Sequence, residues 1–107
     1  IINFKSTLKN YQLDDYYTIS EVKAKPEFFG KTLSELDSID KYRLTLITIF
    51  RKKEKRNLIG KRTIIKETIG RPTPNTVVEE NDILVVYGYN KDIETYCLGQ
   101  EEYTIRS

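Results

Sequence analysis

The spacing of apolar and polar positions changes from block to block along the chain, and each change marks an element. In "YYTISEVKAK" (16–25), Tyr17, Ile19, Glu21, Lys23 and Lys25 fall on one side and Tyr16, Thr18, Ser20, Val22 and Ala24 on the other. Tyr, Thr, Ile and Val favour strands, and a residue before proline is held extended. A strand running up to Pro26 is predicted. "YRLTLITIF" (42–50) is the clearest strand: Leu44, Leu46, Thr48 and Phe50 alternate with Thr45, Ile47 and Ile49, so both faces are largely apolar. Such a strand is central in its sheet or turns one face to another subunit. "KRTIIKE" (61–67) predicts a short strand between a turn at 57–60 and another at 70–74. "ILVVY" (83–87) predicts a buried strand ending at Gly88.

The segments between these strands carry turn and helix signals. In "PEFFGKTLSELDS" (26–38), Phe28 and Phe29 are expected to plug the core. Gly30 suits a positive φ where the chain reverses. Thr32 and Glu35 form T-x-x-E, a capping box, with Leu33 and Leu36 on one face of a short helix that ends at Asp37 and Ser38. Glu80, Asn81 and Asp82 predict a turn in which Asn81 takes the left-handed conformation. Asn90 is placed to cap a last short helix with Asp92 in its first turn, and Ile93, Tyr96 and Cys97 share its inner face. Residues 1–15 have a loosely helical spacing and read as a linker from an upstream domain, 16–98 as the domain itself, and 99–107 as a tail. The order strand, helix, strand, hairpin-like strands, strand, helix argues for a small α+β domain with a mostly antiparallel sheet and two short helices.

Composition narrows the chemistry. The 107 residues fit one domain. Charged residues make up 32% and apolar ones 38%, a globular rather than disordered balance. No stretch approaches the ~20 apolar residues of a membrane span. The absence of methionine is expected of a cut-out or processed domain. Cys97 is the single cysteine and histidine is absent, which rules out Ser-His-Asp and Cys-His catalysis and leaves no ordinary tetrahedral zinc site. The carboxylates Asp37, Asp40, Glu79, Glu80 and Asp82 sit in turns and caps, and no spacing singles out an acid–base pair. The net charge of +2 is uneven: from Arg51 to Arg71 there are nine Lys or Arg against Glu54 and Glu67. That run is either a solvated hairpin or a landing place for an anionic partner.

Three stretches taken together, "EVKAKPEFFGKTLSELD", "YRLTLITIFR" and "RPTPNTVVEENDILVVYG", resemble in order and spacing the motifs of the RCK_C family, also called the TrkA C-terminal domain. The resemblance spans about residues 16–97. It implies a non-enzymatic, cytoplasmic regulatory domain of a potassium channel or transporter, following an RCK_N domain of Rossmann type and pairing as a homodimer. A subset of the family binds cyclic di-AMP at the dimer interface, with apolar side chains around the adenines and an arginine at the end of the second strand near phosphate. Carried onto this chain, that arginine is Arg51. Leu46, Leu58, Ile59 and Pro74 would supply apolar walls and Asn57 an adenine-reading amide. A two-fold symmetric ligand suits a two-fold dimer. No cofactor and no metal are expected. Four departures stand out. The segment between Arg51 and Pro72 is longer than the family pattern, Arg43 stands where glycine is usual, Ile39 where a basic residue is usual, and Asn81 replaces a glycine. Two alternatives remain open: a dimerisation module with no small-molecule ligand, and a nucleic-acid surface along 51–71. The latter lacks aromatic stacking platforms, because no aromatic residue lies between Arg51 and Arg71.

Overall fold

The computed structural model describes residues 7–36 and 40–106, the last eight of these by backbone alone. Five strands make one antiparallel sheet: β1 (Thr7–Gln12), β2 (Tyr17–Lys23), β3 (Thr45–Arg56), β4 (Arg62–Thr68) and β5 (Ile83–Tyr89). They lie side by side in the order β1-β2-β5-β3-β4. Among the described residues one long helix, α1 (Asn90–Arg106), leaves β5 directly. The α+β class and antiparallel sheet expected from the sequence are both present. The connection from β2 to β3 holds two 3-10 turns, Pro26–Phe28 and Leu33–Glu35.

Register decides which side chains meet. β2 pairs with β5 from Tyr17 opposite Tyr89 to Lys23 opposite Ile83. The pleat therefore points Thr18, Ser20, Val22, Leu84, Val86 and Gly88 to one face. All six are buried there. α1 closes that face with Ile93, Tyr96 and Cys97, and Phe28, Leu36, Leu44, Ile49 and Val78 complete the core. The Tyr96 hydroxyl donates to the Lys23 carbonyl at 2.8 Å, so the helix is also hydrogen-bonded to the sheet. Asn90 ties the helix start to the β1–β2 turn: its side-chain nitrogen donates to the Asp15 carbonyl and its oxygen accepts from the Thr18 hydroxyl. Lys25 is buried too. Its ammonium donates to the Tyr42 hydroxyl at 2.6 Å and lies over the rings of Tyr42 and Tyr96 at 4.4 and 4.5 Å. The hydrogen bond and the two ring contacts compensate the buried cation.

Three expectations change. Residues 7–12 are a strand, not a loosely helical lead-in, because β1 needs only the free edge of β2: Tyr11 pairs with Ile19 and Asn10 with Ser20, whose hydroxyl donates to the Asn10 side chain. The helix expected after Thr32 is one 3-10 turn. The capping carboxylate is in place, with Glu35 accepting from the Thr32 amide and hydroxyl. The next amides, of Leu33 and Ser34, donate instead to the carbonyls of Thr76 and Pro74, so the chain is held against the 74–77 segment. The expected end at Asp37 and Ser38, like Ile39, lies outside the described residues. The last helix is not short: its backbone continues to Arg106, through the stretch read as a tail.

The three unusual φ angles that matter are at Gly30 (79°), Asn81 (68°) and Arg43 (60°). The first two were expected. Arg43 adopts the left-handed conformation at the position where the resembling family has glycine.

Candidate functional site

β3 organises the site because it has two halves with different surroundings. From Thr45 to Phe50 it lies between β5 and the loop after β4. Beyond Phe50 it pairs with β4 alone, from Arg51 opposite Glu67 to Arg56 opposite Arg62. That second half is a two-stranded arm about 20 Å long at ~3.4 Å per residue. The arm ends in a turn in which the Asn57 side-chain oxygen accepts from the amides of Ile59 and Lys61.

Arg51 stands at the root of the arm. Its Nε donates to Asp82 Oδ1 at 3.0 Å and its Nη2 to Asp82 Oδ2 at 2.9 Å, a two-pronged pair. Nη2 also donates to the Val77 carbonyl, and Glu79 Oε2 lies 2.8 Å from Nε. The Asp82 carboxylate is fully buried, and it accepts the Glu79 amide as well. The hydrogen bond to Asp82 is the main cause that raises Arg51 above the usual guanidinium value. Register explains the pair: Phe50 lies opposite Ile83, so the residue after one meets the residue before the other. The left-handed Asn81 turns the chain so that Asp82 enters the sheet facing inward. Sequence reading placed Asp82 only in a turn. The signal that could have found its partner is the antiparallel adjacency of the "IFR" and "DIL" strands.

The six residues singled out in sequence do not form one cluster in a single chain. Leu46 is half-buried opposite Val86 and packs on the core. Pro74 is exposed in the loop before β5, its carbonyl held by the Ser34 amide. Asn57, Leu58 and Ile59 are at the far tip of the arm, six to eight residues beyond Arg51. Asn57 is engaged in its own turn, and Leu58 and Ile59 are open to solvent at 107% and 85%.

The second feature, of which the two apolar faces of the 42–50 strand were the sequence sign, is the sheet face opposite α1. No described helix covers it. It carries Tyr11, Tyr17, Ile19, Ile47, Phe50, Ile83, Tyr87 and Tyr89, all at least partly exposed. Tyr17 stacks on Tyr87 with ring centroids 5.7 Å apart and meets Tyr89 edge-on at 5.8 Å. Lys66 lies 3.8 Å from the centre of the Phe50 ring.

Among the described residues no group of His, Cys, Asp or Glu could hold a metal ion, and no helix is long and apolar enough to cross a membrane. The TrkA-C domain family matches the chain over residues 17–98, and the chain belongs to that family, which is the RCK_C family. TrkA-C domains are regulatory parts of potassium transport systems and generally work with RCK_N domains and potassium transporters. No curated protein matches the chain.

Proposed function

We propose that this chain is a cytoplasmic regulatory domain of a potassium channel or transporter that acts as a two-fold homodimer downstream of an RCK_N domain and senses cyclic di-AMP between the two copies. The observation that carries the dimer is the uncovered sheet face. A face with Ile19, Ile47, Phe50 and Ile83 among stacked tyrosines is apolar enough to gain from a second copy. Two-fold pairing lets the same residues meet from both sides.

Cyclic di-AMP is the ligand the family relationship suggests for such a pair. This chain would offer it the exposed Pro74 and the remaining nitrogen of Arg51, Nη1, since Nε and Nη2 serve Asp82; Leu46, level with Val86 on the α1 side, packs on the core instead of lining the open face. Asn57, Leu58 and Ile59 could enter that site only from the second copy. A second reading is favoured by one specific observation. Asp82 and Glu79 together outweigh the charge of Arg51, and two carboxylates beside it oppose a phosphate. In that reading the domain pairs without a small molecule and Arg51 is purely structural.

Light scattering and calorimetry separate the two. A dimer that takes up one cyclic di-AMP per pair supports the first reading. Arg51→Lys, which keeps the charge and gives up the guanidinium fork, should then weaken binding at least tenfold. A dimer that gives no heat at tens of micromolar ligand supports the second. A monomer at all working concentrations removes both.

A further inference from the structure

The arm formed by the second half of β3 and β4 has no role in the second reading, and in the first only its tip could reach the ligand, from the second copy. It leaves the sheet as a bare hairpin, and isolated two-stranded hairpins gain little stability of their own. Its surface has a particular layout. The tip holds two adjacent aliphatic side chains, Leu58 and Ile59, which stand open to solvent at 107% and 85% exposure. Ile64, further back, is 71% exposed. Around them from 52 to 66 stand Lys52, Lys53, Lys55, Arg56, Lys61, Arg62 and Lys66, against Glu54 alone. Glu54 is paired with Arg62 at 2.9 Å, and Glu67 at the arm's root with Lys53 at 3.0 Å. Among the described residues, Lys52, Lys55, Arg56 and Lys61 have no acidic partner.

We propose that this arm docks on an anionic lipid bilayer, with Leu58 and Ile59 entering the headgroup–acyl boundary and the flanking cations meeting lipid phosphates. The chemistry on each part matches. Aliphatic side chains gain by leaving water for the acyl region, and lysine and arginine stems let their charges stay at headgroup level. Cations near an anionic leaflet add attraction within a Debye length, and neither contribution alone holds a protein firmly. The arm supplies both at one end. A nucleic acid fits less well: the tip is aliphatic, and no aromatic ring stands between Arg51 and Arg71 on which a base could stack. A second copy's arm fits less well still, because two strongly basic hairpins repel. The proposal goes beyond the regulatory reading, and its test contains no cyclic di-AMP, so either can fail alone.

The test is co-sedimentation of the purified chain with vesicles of phosphatidylcholine alone and of phosphatidylcholine with phosphatidylglycerol, at low and moderate salt. The expected result is binding to the anionic vesicles only, weakened by salt. The double variant Leu58→Ser, Ile59→Ser should bind at least tenfold less. Because both side chains stand free of the core, its melting temperature should equal that of the parent. A charge variant, Lys61→Glu with Arg56→Glu, should abolish binding. No association with anionic vesicles overturns the proposal, as does equal binding by the tip variant. Preference for a single-stranded oligonucleotide over the vesicles, retained by the tip variant, also overturns it and assigns the arm to nucleic acid.

Discussion

Arg51 and Asp82, thirty-one positions apart, are clasped by two hydrogen bonds of 3.0 and 2.9 Å where β3 and β5 pass each other. The carboxylate is fully buried while the guanidinium keeps 20% of its side-chain surface exposed, so the clasp is open to water only on the arginine side. Arg51→Ala leaves a buried carboxylate without its cation, a loss of about 3–5 kcal/mol in comparable pairs. Urea unfolding is expected to show that loss. A change under about 1 kcal/mol, the value of an exposed pair, would mean the clasp does not hold the loop before β5.

Arg43 bears backbone strain without evident return. Its φ of 60° lies in the left-handed region, which costs a non-glycine residue about 1–2 kcal/mol. Arg43→Gly removes that strain, partly offset by the greater freedom of glycine in the unfolded chain. The expected net effect is stabilisation of up to ~1 kcal/mol, a rise of a few degrees in Tm for a domain of this size. A lower Tm would place Arg43 in a contact that outweighs the strain.

Gly88 gives the opposite result. A Cβ there would lie 2.5 Å from Cδ2 of Leu44, a core side chain. Gly88→Ala must displace Leu44 from its packing, and overpacking of this kind costs about 1–3 kcal/mol. Gly88→Ala paired with Leu44→Ala should be less destabilised than the sum of the two single changes, which a double-mutant cycle by chemical denaturation measures.

Alkaline pH should unfold the domain partly through Tyr96. Burial raises its phenol far above the ordinary value near 10, so the folded state excludes the tyrosinate while the unfolded chain accepts it. The contribution of the neutral phenol is therefore complete below pH ~10 and is lost as pH rises beyond it. Tyr96→Phe removes the hydrogen bond to Lys23, at about 1 kcal/mol near neutrality. In return its stability should fall less steeply between pH 10 and 11.5. Parallel slopes for the two proteins would assign the alkaline loss to other groups.

Sequence reading succeeded where side-chain alternation is coupled to burial. Thr18, Ser20 and Val22, set on one side of a strand by their period of two, are buried together, Ile93, Tyr96 and Cys97 share the inner side of the helix, and Gly30 and Asn81 take the left-handed angles their turns demand. It failed where the controlling partner is distant. β1 has little apolar pattern of its own because an edge strand needs only the hydrogen bonds that β2 offers. The helix expected after Thr32 is a single 3-10 turn, and its leading amides, of Leu33 and Ser34, are satisfied by the distant carbonyls of Thr76 and Pro74. For the site, Arg51 was legible as a residue of consequence but its partner was not.

The chain by itself determined the alternating strands, the capped turn, the concentration of positive charge between 51 and 71 and the family motifs, because each depends on neighbours within a few residues. Only the tertiary structure decided that Arg51 clasps Asp82, that the basic segment stands out as an arm with an aliphatic tip, and that one sheet face is left open. Those follow from strand order and register, which are set by contacts between residues dozens of positions apart, and a local pattern carries no record of them.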